Sequence, residues 1–147
     1  MLIRKVLPII GKADFFLYKF TSIGESLIRF RCRVLATLIY HIPLFGGKLC
    51  SNSVELKSEW INFLNRFGIV PMIISENENE FQWHLDNCPY NFQITDEKGV
   101  CDACMDLDRT FIKLLGGELD ILETIPGGSN KCKFIVKLSH MNNNQKI

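Results

Sequence analysis

The sequence predicts an α+β domain in which amino-terminal helices pack on a four-stranded antiparallel sheet of ββαββ order. Apolar residues recur at steps of three and four in the first part of the chain and at alternate positions afterwards, the periods of helix and strand. Helices followed by hairpins favour this class over an alternating α/β fold. A chain of 147 residues fits one domain. We therefore expect a helical part at 1–68, a cysteine-bearing ββαββ part at 69–139 and a polar tail at 140–147.

Two helices are predicted in the first part. The first should run from Ala13 to Tyr40, with its core-facing apolar side chains at helical spacing. These are Phe16, Phe20, Ile23, Leu27, Phe30, Val34 and Leu38. The second should begin after Asn52, because Asn52 and Glu55 have the spacing of a capping box, and should end at Gly68.

The second part predicts two hairpins around a third helix. The first hairpin joins Ile69–Ser75 to Phe81–Leu85, where apolar and polar residues alternate. A helix from Asp102 to Leu115 follows, ended by two glycines. The second hairpin joins Leu119–Ile125 to Cys132–Leu138 through a turn rich in glycine.

Charge is unevenly divided along the chain, although the net charge is only +1. Residues 1–49 carry eight Lys or Arg and two acidic residues, a balance of +6, and residues 50–147 a balance of −5. We expect the amino-terminal helices to meet a protein partner or a second copy of the chain. A nucleic-acid partner is not expected, since no recognition motif accompanies the basic residues. No apolar run is long enough to span a bilayer, and we expect a cytoplasmic protein.

Four of the six cysteines form the strongest constellation, Cys88-x12-Cys101-x2-Cys104-x27-Cys132. The predicted strand ends and helix entrance could bring them to one edge of the sheet, where helix N–H groups would favour the thiolates of Cys101 and Cys104. Four thiolates suit tetrahedral zinc or a [4Fe–4S] cluster. Two alternatives stay open: redox or sensing thiols, and buried small hydrophobes, since Cys132 alternates in phase with Phe134.

Part of this cysteine pattern resembles a known family. The segment Asn87 to Tyr90, then Cys101, then Gly128 to Phe134 is similar to the cysteine-bearing effector domain of iron–sulfur-sensing helix-turn-helix repressors. That resemblance implies a [4Fe–4S] cluster rather than zinc. The chain has no room for a DNA-binding domain of the layout those repressors use.

A second resemblance covers nearly the whole chain. It is to the L-2-amino-thiazoline-4-carboxylic acid hydrolase family and, more remotely, to 4-vinyl reductase-type domains that bind small molecules. The residues that carry it are Cys101, Cys104, Asp106, Asp108, Gly128, Cys132 and Phe134. It implies a hydrolase in which Cys101 or Cys104 acts with His84 and Asp106.

The main hypothesis from the sequence is a metal-binding accessory, sensor or electron-transfer protein. A [4Fe–4S] cluster, or alternatively zinc, would be held by Cys88, Cys101, Cys104 and Cys132. One alternative is a small hydrolase of the aminothiazoline-carboxylate kind. The other is a metal-free domain that binds an apolar ligand near Trp60 and Trp83.

Overall fold

The computed structural model describes residues 3–42 and 47–139, and it confirms the α+β class. Three helices precede a hairpin, two short helices and a second hairpin. The elements are α1 Ile3–Phe20, α2 Gly24–His41, α3 Ser53–Arg66, β1 Met72–Glu76, β2 Glu80–Leu85, α4 Lys98–Cys104, α5 Asp106–Leu114, β3 Gly117–Glu123 and β4 Cys132–Leu138. The predicted tail at 140–147 lies outside the described residues. None of the helices in the described ranges is long and apolar enough to cross a membrane.

The four strands form one antiparallel sheet in the spatial order β1-β2-β4-β3. The chain order ββαββ therefore differs from the order in the sheet, because the two hairpins join through β2 and β4. Trp83 on β2 lies opposite Phe134 on β4, and their rings stack with centroids 4.2 Å apart. Alternate side chains of β2 and β4 are buried, as the period of two predicts, and they supply the sheet face of the core.

The helices pack on the face of the sheet that carries the buried side chains of β2 and β4. The larger apolar cluster joins α3 and α5 to the buried sides of β2, β3 and β4 and contains Trp60. A smaller cluster joins α2 to α4 and includes Cys32, Cys101 and Cys104. The predicted start of α3 is confirmed, since the Glu55 N–H donates to Asn52 Oδ1 at 2.9 Å.

The prediction of one helix from Ala13 to Tyr40 is wrong, because the chain bends between α1 and α2. At the bend Thr21 Oγ1 donates to the Leu17 carbonyl at 2.8 Å. Gly24 packs so closely on α1 that a Cβ would lie 2.3 Å from the Leu17 oxygen. The start of α2 can therefore sit against the end of α1 only with glycine at this position.

The predicted inward face of these helices is also wrong, since its apolar side chains point outward. Eight large apolar side chains form what we call the outer face, each with 41–68% of its surface exposed. They are Ile9, Phe16, Phe20, Ile23, Leu27, Phe30, Val34 and Leu38. The buried side of α2 instead carries Ile28, Cys32, Ala36 and Ile39.

Ion pairs explain why α2 turns this way. Arg29 and Arg33 both donate to the buried carboxylate of Asp106 at the start of α5, at 2.9 and 2.8 Å. Arg31 makes a two-point bond with the buried Asp14 of α1, at 2.6 Å for each contact. A buried carboxylate needs such partners, and pairing it fixes the rotation of α2 more firmly than the apolar stripe does.

The third predicted helix is two helices joined at Met105, and it begins earlier than expected. Cys101 is the fourth residue of α4 and Cys104 its last, so neither lies at a helix entrance. The expected support of their thiolates by the positive end of a helix is therefore absent. The outer hairpin β1–β2 and the hairpin β3–β4 are confirmed, with strand ends shifted by a few residues.

Candidate ligand cavity

An apolar cavity of about 280 Å³ lies between the helices and the sheet. Its walls come from the five helices α1 to α5, from the buried faces of β2 and β4, and from the loop after β2. Typical lining side chains are Phe63, Leu85, Leu107 and Phe134. Protein interiors seldom contain voids much larger than one water molecule, about 30 Å³ of liquid volume. A space of this size and character is typical of a binding site for a small molecule.

Three of the four predicted metal-ligating cysteines line this cavity, namely Cys88, Cys101 and Cys132. Cys88 comes from the loop after β2, Cys101 from the middle of α4, and Cys132 from the first position of β4. The Ile125 N–H donates to Cys132 Sγ at 3.4 Å. In the loop, the Asn91 N–H donates to the Cys88 carbonyl at 3.0 Å, and backbone N–H groups of residues 90–92 lower the pKa of the Cys88 thiol.

Burial nevertheless keeps these three thiols protonated. It raises the pKa of Cys88 and of Cys132 above the ordinary range for a thiol, and the N–H donors only partly oppose this. For Cys101 burial again raises the pKa, and the neighbouring Cys88 and Cys132 raise it further. Neutral thiols at a cavity wall act as small apolar groups rather than as nucleophiles.

The fourth predicted ligand, Cys104, is placed differently. It is absent from the residues that line the cavity, and its thiol donates to Asp14 Oδ2 at 3.6 Å. Cys32 of α2 belongs to the same small buried cluster. Within the described residues, no group of three or more His, Cys, Asp or Glu side chains is arranged to hold a metal ion. The four cysteines therefore do not fit a four-sulfur centre here, and the metal hypothesis stays a prediction.

The predicted hydrolase residues are also spread over the fold. Asp106 is bound by arginines, and His84 lies on the side of β2 opposite to Trp83, with its Nε2 3.3 Å from Asp86 Oδ1. Neither residue lines the cavity with Cys101. The hydrolase hypothesis stays a prediction, and the geometry offers no base beside a cavity thiol from that set.

The cavity also contains polar groups that belong neither to the predicted metal ligands nor to the predicted catalytic set. Asp108 lines it, and burial raises the pKa of this carboxyl to about 7. Tyr90 lines it too, and burial raises the pKa of its hydroxyl well above the usual value. Trp83 is 1% exposed, and its indole N–H is buried with no hydrogen-bond partner in the part of the chain that the structure describes. The alternation in β2 predicted an inward Trp83, but not that its N–H would lack an acceptor.

The fold and the cavity together define an α+β domain with a small, largely apolar chamber under its helices. No protein-family model matches the chain, and no curated protein is similar to it.

Proposed function

We propose that this chain is a metal-free domain that binds a small molecule in the cavity. The ligand is largely apolar and carries one hydrogen-bond acceptor. The observation that carries the proposal is the apolar chamber of about 280 Å³, which has Asp108 and Tyr90 among its lining residues. A mostly apolar pocket with a few polar groups is typical of a site for a small molecule.

Polar groups at the wall support the acceptor. Asp108 is half protonated near neutral pH, since its pKa is about 7, and Tyr90 keeps its proton. Both can therefore donate to a ligand oxygen. The remaining wall is apolar and suits a short hydrocarbon chain or a ring.

Octanoate is a suitable first probe, because it joins an acceptor to an apolar chain. In a Trp60→Phe variant, Trp83 is the sole tryptophan, so its fluorescence should change saturably as octanoate is added. Adding Leu107→Phe, which narrows the cavity, should weaken binding by roughly tenfold or more. The matched control is Val54→Phe on the exposed side of α3, which should bind like its parent.

Two results would contradict this proposal. One is octanoate binding that is equally strong with and without Leu107→Phe. Calorimetry on the chain that keeps both tryptophans gives the same comparison if Trp60→Phe does not fold. The other is iron with acid-labile sulfide, or zinc, in protein purified without oxygen, lost on Cys88→Ser or Cys101→Ser. That outcome would restore the cysteine-ligated centre.

The partner of the amino-terminal helices is a separate question, and we propose a second copy of the chain. The eight side chains of the outer face expose an area on the order of 800 Å² in all, judged from their size and exposed fractions. A stable protein–protein interface buries about 800 Å² on each partner. The Phe16 and Phe20 rings lie 4.5 Å apart and form the aromatic part of this face.

Sedimentation velocity over a wide range of protein concentration tests the dimer. Phe30→Ser should weaken self-association by roughly tenfold or more, because burying a phenylalanine contributes about 1.5–3 kcal/mol. Val70→Ser, exposed but outside the outer face, is the control. A monomer at every concentration would contradict the dimer. A monomer that binds vesicles of anionic phospholipid in a flotation assay would also contradict it. Lys12 and Lys19 beside the outer face would then contact the lipid headgroups.

A further inference from the structure

Two further cysteines, Cys32 and Cys104, lie close together at the edge of the cavity, where α1, α2 and α4 meet. Arg31 Nη2 is 2.6 Å from Asp14 Oδ2 and 3.9 Å from Cys32 Sγ. The same Asp14 oxygen accepts from Cys104 Sγ at 3.6 Å. One ion pair therefore contacts both sulfurs, and both cysteines belong to the same small buried cluster.

Only one of the two sulfurs is reached from the cavity. Cys32 lines the cavity and Cys104 does not. Arg31 and Leu35 line the same space, and 46% of the Arg31 side chain and 42% of Leu35 are exposed, so the cavity approaches the surface beside Cys32. A molecule that enters there meets Cys32 first, with Cys104 behind it.

The surroundings shift the pKa values of these two thiols in opposite directions. The neighbouring Cys104 thiol lowers the pKa of Cys32, with help from Arg31 and against the effect of burial. The Cys32 thiol and burial together raise the pKa of Cys104. A thiolate with a neutral thiol at its back is the arrangement of a nucleophilic cysteine and its resolving partner.

We propose that Cys32 and Cys104 are a redox-active pair that a small organic hydroperoxide entering the cavity oxidises to a disulfide between α2 and α4. The site uses the chamber of the proposed function as its route and needs no bound ligand. Disulfides in a reducing compartment are typically transient and redox-sensing, and this one would form in a single oxidation event.

The chemistry balances with groups at the cavity wall. The Cys32 thiolate attacks the hydroxyl-bearing oxygen of the hydroperoxide, so that an S–O bond forms and the O–O bond breaks. The departing alkoxide takes the proton of Asp108 and leaves as an alcohol, and Cys32 becomes a sulfenic acid. Cys104 then attacks that sulfur. The S–S bond forms, and the hydroxyl group leaves with the Cys104 proton as water. The two thiols lose two electrons and the peroxide gains them.

Peptide mapping by mass spectrometry after treatment with tert-butyl hydroperoxide tests the pair. The chain with all six cysteines should yield a linked pair of peptides that carry Cys32 and Cys104. Cys32 should react at least roughly tenfold faster than Cys50, a buried thiol outside the cavity whose pKa burial raises to about 11. With Cys104→Ser the reaction should stop at a sulfenic acid on Cys32 that dimedone traps. Cys50→Ser should behave like the parent.

Equal oxidation of Cys32 and Cys50 would overturn the pair, as would a link from Cys104 to Cys101 or Cys88. Mapping of the natural chain decides this even where a variant does not fold. Octanoate binding by Cys32→Ser separates the two proposals, since the cavity should still bind when the redox thiol is gone. If the parent chain does not bind octanoate but still forms the disulfide, that result would contradict the proposed function and leave the redox pair standing.

Discussion

Replacing Asp106 by alanine should lower the free energy of unfolding by about 3 kcal/mol, a large part of the stability of a domain of this size. The carboxylate is 5% exposed and accepts hydrogen bonds from Arg29 at 2.9 Å, Arg33 at 2.8 Å and Arg109 at 3.1 Å. Removing one partner of a buried ion pair leaves the others without compensation. Three guanidinium groups lose a partner at once, although their partial exposure to water moderates the loss.

Denaturation by guanidinium chloride measures the effect as a change in the midpoint at constant slope. The matched control is Asp120→Ala, which removes an exposed carboxylate that Lys137 contacts at 2.6 Å. Exposed pairs contribute less than about 1 kcal/mol, so this variant should remain close to the parent. A loss below about 1 kcal/mol for Asp106→Ala would mean that the arginines are solvated well enough without it, and that the pairs do not hold α2 against α5.

The arginines also explain which part of the fold the sequence could not predict. Seven apolar residues at helical spacing indicated a buried stripe, yet a face of α2 with two arginines packs toward α5. Periodicity shows that a helix has two different faces, but not which of them the rest of the protein covers. The answer depends on Asp106, more than seventy positions away, and no local pattern reports such a pairing.

The cysteine pattern was informative for a different reason. The sequence predicts Cys88, Cys101 and Cys132 at the ends or entrances of neighbouring elements and therefore near one another. All three line one cavity, although Cys101 lies within α4 and not at its entrance. Cys104 was assigned to the same set because it follows Cys101 by one short spacing. That spacing keeps two side chains on the same side of a helix, so it gave no warning that they would differ. The bend of α1 against α2 brings Asp14 to Cys104, whose thiol bonds to that carboxylate and does not line the cavity.

An apolar ligand near Trp60 and Trp83 was one alternative hypothesis from the sequence, but no local pattern indicated where the cavity would lie. Its wall combines side chains from both parts of the chain, and each one alone has the pattern of an ordinary core residue. Trp83 is an example, since its alternation with polar neighbours predicts burial and nothing more. Asp108 had the pattern of a helix-start acid, a dipole complement that normally faces water. Only the packing of α5 against the cavity shows that it faces inward.

Asp108 should also make stability depend on pH, in a direction opposite to that of most carboxylates. Its pKa is about 7 in the folded chain because of burial, and about 3.9 in an unfolded chain. Below pH 4 the carboxyl is protonated in both the folded and the unfolded chain, and its contribution to the free energy of unfolding is fully present. Between pH 4 and 7 the unfolded state loses its proton while the folded state keeps it. Stability from this group therefore falls as pH rises through that window, by up to about 3 kcal/mol, and is lost above pH 7.

Replacing Asp108 by asparagine removes the ionisable group and keeps its shape. The variant should be about as stable as the parent at pH 4.5 and more stable at pH 8, by up to about 3 kcal/mol, in urea denaturation at both values. Asp120→Asn, an exposed carboxyl on β3, should show no such growth between the two values. If the free energies of unfolding of Asp108→Asn and the parent differ by the same amount at pH 4.5 and pH 8, Asp108 is already ionised in the folded chain. It could then supply no proton to a departing alkoxide beside Cys32, and the acid step of the redox pair would need another donor.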